Sequence, residues 1–301
     1  MDRLRSGAGV DLGVTEFAPG SSRPDGSAPI VPAGLDAVLV LLRHGETQFI
    51  VEKRFQGQLE APLSPRGEAQ AHLAGIRLAS PRRAPALPLP PGPPRLIAHS
   101  PLERAALTAR YVAEAMADAG TAPPPLQPDP GLMELAQGEW EGLTETEITA
   151  RFGDLLAGWR RWPTRYHAPG GESLEEAFGR VAPSLTGILG RLAEGGQPGT
   201  LDHSQVLGYE DRNAPDPRPW ALLVGHGGCF RIVTCLLLGL PPESFWSFDF
   251  GLAAISVVEI RAGRAVLRAL NLDAHLSPED ASGAEPGIAA ESARRAARGA
   301  L

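Results

Sequence analysis

The sequence predicts an α/β fold, a three-layer α/β/α sandwich whose mostly parallel central sheet carries helices on both faces. Three observations predict it. Aliphatic runs at 37–42, 95–98 and 220–224 are too short for globular helices and read as buried strands. Helical patterns separate them, and strands alternating with helices indicate parallel strands joined by crossovers. Two runs lead into the same kind of tripeptide, Arg43-His44-Gly45 and Gly225-His226-Gly227, at the strand end where open α/β sheets bind ligands.

The elements follow in order. Residues 1–35 are rich in Gly, Pro, Ser and Ala without a sustained period, and read as a disordered leader or a misassigned start. The first strand is Ala37-Val38-Leu39-Val40-Leu41-Leu42. Ser64 as N-cap, Pro65 at the first helical position and Glu68 in the first turn then open a helix. Prolines crowd 81–94, which reads as an extended surface connector. A strand at 95–98 leads into a helix from about Pro101 to Ala119. Helical patterns at 144–157 and 172–194 precede a polar, Pro/Gly-marked insertion at 195–219. The strand at 220–224, a helix from Cys229 to Leu238, and strand-like runs at 254–260 and 265–270 complete one domain over 36–276. No fixed-period repeat occurs, and the Ala/Arg-rich tail at 277–301 is assigned no role.

Composition narrows the function. At 301 residues, 43% hydrophobic and 21% charged, the chain can bury one large core. No apolar run reaches the roughly 18–20 residues that span a bilayer, so no membrane association is expected, and the first residues lack a secretory signal's apolar stretch. A net charge of −7 argues against a nucleic-acid partner. Lys53 is the one lysine among 28 basic residues, which a GC-rich genome explains better than selection for guanidinium chemistry. Cys229 and Cys235, six apart on one helix, face different ways. That spacing disfavours a bridge and fits a reducing cytoplasm.

An isolated Arg-His-Gly triplet carries little information. Its placement carries more: glycines beside His44 and His226 let the backbone approach a ligand. The segment His99-Ser100-Pro101-Leu102-Glu103-Arg104 puts Arg104 in the first turn of a helix, where an anion is favoured. Alone, Arg104 reads more readily as a solvent-facing residue.

Taken together, an ordered set of segments is similar to the histidine phosphatase superfamily, in its phosphoglycerate mutase-like branch. The set comprises Leu41-Leu42-Arg43-His44-Gly45-Glu46-Thr47, Gln56-Gly57, Pro62-Leu63-Ser64, Ser100-Pro101-Leu102 with Arg104-Ala105 and Thr108-Ala109, Glu134 with Gly138-Glu139-Trp140-Glu141-Gly142, Gly170-Gly171-Glu172-Ser173, and Gly225-His226-Gly227-Gly228. Asn271 to Leu276 resembles the segment that closes that domain. The resemblance covers about 240 residues. It implies a phosphatase for a small phosphorylated metabolite, working through a phosphohistidine on His44 without metal or cofactor. It also implies Glu134 as proton donor and acceptor, and His226 as a stabiliser of phosphate. Arg43, Arg104, Gln56, Gly57 and Gly227 are implied as phosphate-binding residues.

These roles meet a physical need. Phosphoryl transfer relies on positioning and on stabilising charge spread over three oxygens, and planar guanidinium forks match those oxygens better than lysine does. Neighbouring guanidiniums also disfavour protonation of His44, which must attack as neutral imidazole. The histidines do not show metal-ligand spacing. His72, His99, His167, His203 and His275 read as structural or exposed, His275 having the best minor claim through the closing segment.

Two departures from the family pattern stand out. Family members commonly carry Asn six positions after the nucleophile, where this chain has Ile50. Losing one donor to a charged ligand costs roughly 1.5–3 kcal/mol, unless Gln56, Thr47 or a backbone amide compensates. Mutases of the family follow the glutamate with Arg and, two positions beyond it, Tyr; here stand Leu135 and Gln137. The motifs resemble the alpha-ribazole and broad-specificity phosphatases more closely. Trp159-Arg160-Arg161 reads mainly as a helix end rather than a substrate-binding basic pair. Specificity is expected to reside in 144–171 and the insertions. The alternatives are a 2,3-bisphosphoglycerate-dependent mutase and a weakly active phospho-ligand-binding protein.

Overall fold

A strand that is aliphatic on both faces needs cover on both sides, and that requirement organises the architecture. The computed structural model describes residues 30–194 and 218–276. The strands are β1 (Ala37–Arg43), β2 (Leu96–His99), β3 (Leu126–Pro128), β4 (Trp220–Gly225), β5 (Ile255–Arg261) and β6 (Arg264–Leu272). They form one sheet in the order β3-β2-β4-β1-β5-β6. The first four of these run parallel, β5 adds antiparallel to β1, and β6 pairs antiparallel with β5 at the edge.

Among the described residues the α-helices are α1 (Gln48–Val51), α2 (Pro65–Ala79), α3 (Glu103–Asp118), α4 (Glu145–Arg161), α5 (Leu174–Ala193) and α6 (Gly227–Leu238). Side chains alternate across a strand, so β1 serves two cores. Val38, Val40 and Leu42 pack with Ala74 and Leu78 of α2 and with Val112 and Met116 of α3. Ala37, Leu39 and Leu41 pack with Val181, Leu185 and Ile188 of α5 and with Phe230 and Val233 of α6. The result is the expected three-layer sandwich. A third, smaller cluster of Trp140, Ile148, Leu156 and Ala168 anchors α4.

Local chemistry sets the helix starts. Ser64 accepts the Gly67 N–H with Pro65 at the first position, and Thr144 and Ser173 form capping boxes with Glu147 and Glu176.

Several expectations need correction. Val31 and Leu35 are buried in the core, so packed structure begins upstream of residue 36 and takes in the end of the expected leader. The 81–94 segment turns repeatedly rather than running extended; its Leu87 is buried, because an apolar side chain within reach of the α2/α3 core gains by joining it. β3 was not foreseen, being a three-residue edge strand that ends in proline. α3 starts two residues after Pro101, with Leu102 at its N-cap. α4 runs on to Arg161 across a kink at Phe152, which puts Arg160 and Arg161 in its last turn. Most of the 195–219 insertion, most of the leader and the tail from 277 lie outside the described residues.

Candidate active site

β1 and β4 are neighbours with Arg43 opposite Gly225, so His44 and His226 leave the sheet side by side. Their ring centroids are 5.1 Å apart, and they are only 2% and 0% exposed. His44 Nδ1 lies 2.7 Å from its neighbour's carbonyl, Gly45 O. A carbonyl can only accept, so Nδ1 carries the proton and Nε2 keeps its lone pair. The backbone is held as firmly. His44 N donates to Gly225 O at 3.0 Å, and Ala253 N donates to His44 O at 3.2 Å. His275 Nε2 in turn lies 3.0 Å from Ala253 O, which ties the closing segment to the backbone of His44. Gly45 is required by close approach, since a Cβ there would sit 2.2 Å from Gly67 O.

Burial, then the Arg104 and Arg43 guanidiniums, holds the His44 pKa well below 6.5. His226 is lowered in the same way, by burial first and then by Arg104, His44, Arg43 and Arg180. Both imidazoles are therefore neutral at physiological pH.

Arg104 sits in the first turn of α3 and is 1% exposed. Its Nη1 donates to Leu59 O at 2.9 Å and its Nη2 to Gly57 O at 2.7 Å. Arg43 Nη1 donates to Phe250 O. Four buried nitrogens here have no hydrogen-bond partner among the described residues: Arg43 Nε, Arg104 Nε, and both ring nitrogens of His226. Trp140 Nε1, in the small α4 core, is the other such atom. Neutral His226 carries one N–H, so three of the four can donate at once; each unmet buried donor costs about 1–3 kcal/mol, and together they mark a place suited to an oxygen-rich anion.

Glu134 stands at the N-terminus of α6. Its Oε1 accepts Leu135 N at 2.9 Å and Cys229 N at 3.0 Å, and its Oε2 accepts Gly228 N at 3.1 Å. A Cβ on Gly228 would meet Glu134 Oε1 at 2.4 Å, so only glycine leaves room for this carboxylate. Gly227 lies beside Arg43, where a Cβ would be 3.5 Å from the guanidinium carbon.

The structure clarifies the Ile50 departure. Thr47 accepts Ile50 N and donates to Gln56 Oε1 at 2.8 Å, so its hydroxyl proton is already used. The same bond directs the Gln56 carbonyl at Thr47. Gln56 Nε2 is left without a protein partner among the described residues, on the cleft wall beside Gly57 and Glu134. Of the two side chains considered as compensators, only Gln56 has a donor free. Gly57 has φ +50°, and its carbonyl serves Arg104.

Three residues that hold the site together were not foreseen. Glu141 Oε1 accepts both Gln58 N at 2.9 Å and Gln137 N at 2.8 Å, fastening the Gln56–Gln58 turn to the chain beyond Glu134. Arg180 pairs with Glu172 and donates to the carbonyls of Gly131, Met133 and Glu134. Arg231 lines the same cleft. Glu141 lay inside a quoted motif; nothing in the pattern flagged Arg180 or Arg231.

Among the minor histidines, His99 is buried with Nδ1 against Ser100 O, His167 Nδ1 meets Ala168 O, and His72 packs edge-on against Tyr111. His203 lies outside the described residues. Cys229 and Cys235 are free, buried, and raised in pKa by that burial. Among the described residues no group of three or more His, Cys, Asp or Glu could hold a metal ion, and no helix is long and apolar enough to cross a membrane.

Comparison with known proteins identifies the family. Residues 39–197 and 204–273 match the family described as the histidine phosphatase superfamily (branch 1). The chain is 31% identical to a glucosyl-3-phosphoglycerate phosphatase of Mycolicibacterium vanbaalenii, over 74% of this chain and 83% of that one. It is 36% identical to a probable phosphoglycerate mutase of Enterobacter sp., over 56% and 70%. The solved structure of a mycobacterial glucosyl-3-phosphoglycerate phosphatase complexed with VO3 superposes with a TM-score of 0.60 at 28% identity, covering 78% of this chain and 98% of that one.

Proposed function

Because this chain belongs to the histidine phosphatase superfamily, we propose that it hydrolyses a small phosphorylated metabolite through a phosphohistidine on His44. The observation that carries the mechanism is the Nδ1–H bond from His44 to Gly45 O at 2.7 Å, which leaves a neutral, oriented Nε2 lone pair at the end of β1.

The steps follow from that lone pair. His44 Nε2 attacks phosphorus and forms a P–N bond as the bond to the leaving oxygen breaks. Glu134 gives the leaving oxygen a proton, so the product departs as a neutral alcohol. Water, losing its proton to Glu134, then attacks phosphorus. The P–N bond breaks, inorganic phosphate forms, and His44 returns neutral. Arg43, Arg104, His226 and Gln56 bear on the phosphoryl oxygens throughout, with the backbone N–H of Gly227 opening α6. Gly57 supports the site through its carbonyl on Arg104.

Leu135 and Gln137 occupy the positions where mutases place their substrate-binding Arg and Tyr, which favours hydrolysis over isomerisation. Two free buried cysteines support a cytoplasmic setting. The test is turnover of p-nitrophenyl phosphate and of a metabolite panel with EDTA present, measuring released phosphate against isomerised 3-phosphoglycerate. Phosphate release without isomerisation is expected. Isomerisation as the main product would make the chain a mutase, and no turnover would make it a binding protein.

A further inference from the structure

Glu134 and Gly228 line a half-open cleft that Phe55, Leu135, Trp159, Phe245 and Arg231 also bound. The rings of Phe55, Trp159 and Phe245 offer a leaving group's skeleton carbon surface beside the polar groups of Gln56, Glu134 and Gln137. The cleft's single cation that none of the steps above uses is Arg231.

Arg231 is held on three sides. Its Nε donates to Phe248 O at 2.8 Å and its Nη2 to Asp249 Oδ1 at 3.1 Å. Its guanidinium carbon lies over Trp246 at 4.6 Å and over Phe245 at 5.4 Å. The remaining nitrogen, Nη1, has no hydrogen bond among the described residues. The pairing with Asp249 is lopsided: the Asp249 side chain is 57% exposed and that of Arg231 18%. Water screens the carboxylate more than the guanidinium, so positive character persists toward the cleft.

Placement on α6 gives the site its ruler. Gly228, whose N–H holds the Glu134 carboxyl, and Arg231 are three residues apart and share a helix face. Three residues rise roughly 4.5 Å, so Arg231 stands about one turn beyond the group that protonates the leaving oxygen. A charged group two or three bonds from that oxygen spans such a gap.

We propose that Arg231 anchors a carboxylate on the leaving alcohol, so that the preferred substrate is a phosphorylated hydroxy acid whose carbon skeleton packs on Phe55, Trp159 and Phe245. The assignment deepens the phosphatase reading and rests on it. A carboxylate fits better than a second phosphate, because one free nitrogen flanked by Asp249 and Glu134 matches a monoanion. Leu135 and Gln137 cannot supply the charge, which leaves Arg231 as the cation of this part of the cleft.

Binding tests the proposal without turnover. In a His44→Ala background, 3-phosphoglycerate and glycerol 3-phosphate, which differ in a carboxylate against a hydroxymethyl group, are titrated by calorimetry. The carboxylate ligand is expected to bind about tenfold more tightly or better. Arg231→Gln should bring the two affinities within about twofold, and Arg231→Lys should retain part of the preference. The ratio within each variant is the readout, so a general weakening from the lost Phe248 and Trp246 contacts cancels. Equal affinities with Arg231 present, a ratio unchanged in Arg231→Gln, or no binding of either ligand would overturn the assignment. Phosphate release by the unaltered enzyme reports separately on the phosphatase reading.

Discussion

Glu134 and Gly228 are fitted to each other: the glycine N–H reaches the carboxylate at 3.1 Å, and no side chain could stand between them. The carboxyl proposed as proton donor is thus positioned by the backbone of the helix that follows His226. Gly228→Ala should displace the Glu134 carboxyl and lower kcat by about a hundredfold, with little change in thermal stability because the carboxyl can swing toward the cleft. Steady-state kinetics on p-nitrophenyl phosphate, read beside a melting curve, checks this.

Ile50 and Gln56 make a paired prediction. With Gln56 Nε2 as the compensating donor, Gln56→Ala should weaken inhibition by inorganic phosphate or vanadate about tenfold or more. Ile50→Asn should tighten the same inhibition by a comparable factor, restoring the donor that Ile50 lacks. Inhibition constants for the two variants decide the point. An unchanged constant in Gln56→Ala would assign the compensation to the backbone.

The two buried histidines make stability pH-dependent. Their folded pKa values lie well below the ordinary 6.5. Below that value the unfolded chain binds more protons than the folded one, so stability rises with pH there. The contribution is complete above about pH 6.5 and is lost as pH falls toward the folded values. Each histidine contributes a slope of up to roughly 1.4 kcal/mol per pH unit. Urea unfolding between pH 5 and 6.5, above the carboxylate range, should show this slope, and His226→Gln should remove about half of it.

Glu141 predicts a positioning effect. Its carboxylate fastens the turn whose Gly57 carbonyl holds Arg104. Glu141→Ala should cut kcat/KM by at least about tenfold while moving the pH optimum little, since Glu141 handles no proton. Glu141→Gln, which keeps one acceptor oxygen, should recover most of the activity.

Legibility from sequence followed chain locality. His44 and His226 could be placed because each ends an aliphatic strand beside glycine, and the parallel order of β1 and β4 then brings them together. Ser64, Thr144 and Ser173 caps are local chemistry and read directly. Glu134 needed the family resemblance, because a loop acid has no local signature. Arg180, Glu141 and Arg231 stayed hidden: their roles come from segments that meet only after folding, such as Arg180 with residues 46–49 positions away. β3 was missed because three residues are too few to show a period.

The most direct test of the central claim is acid-quenched turnover of a substrate labelled at phosphorus. The account predicts labelled protein whose label is acid-labile and base-stable, absent in His44→Ala, which should also lose turnover. An acid-stable label, or turnover by His44→Ala at the unaltered rate with no labelled protein in either form, would contradict it.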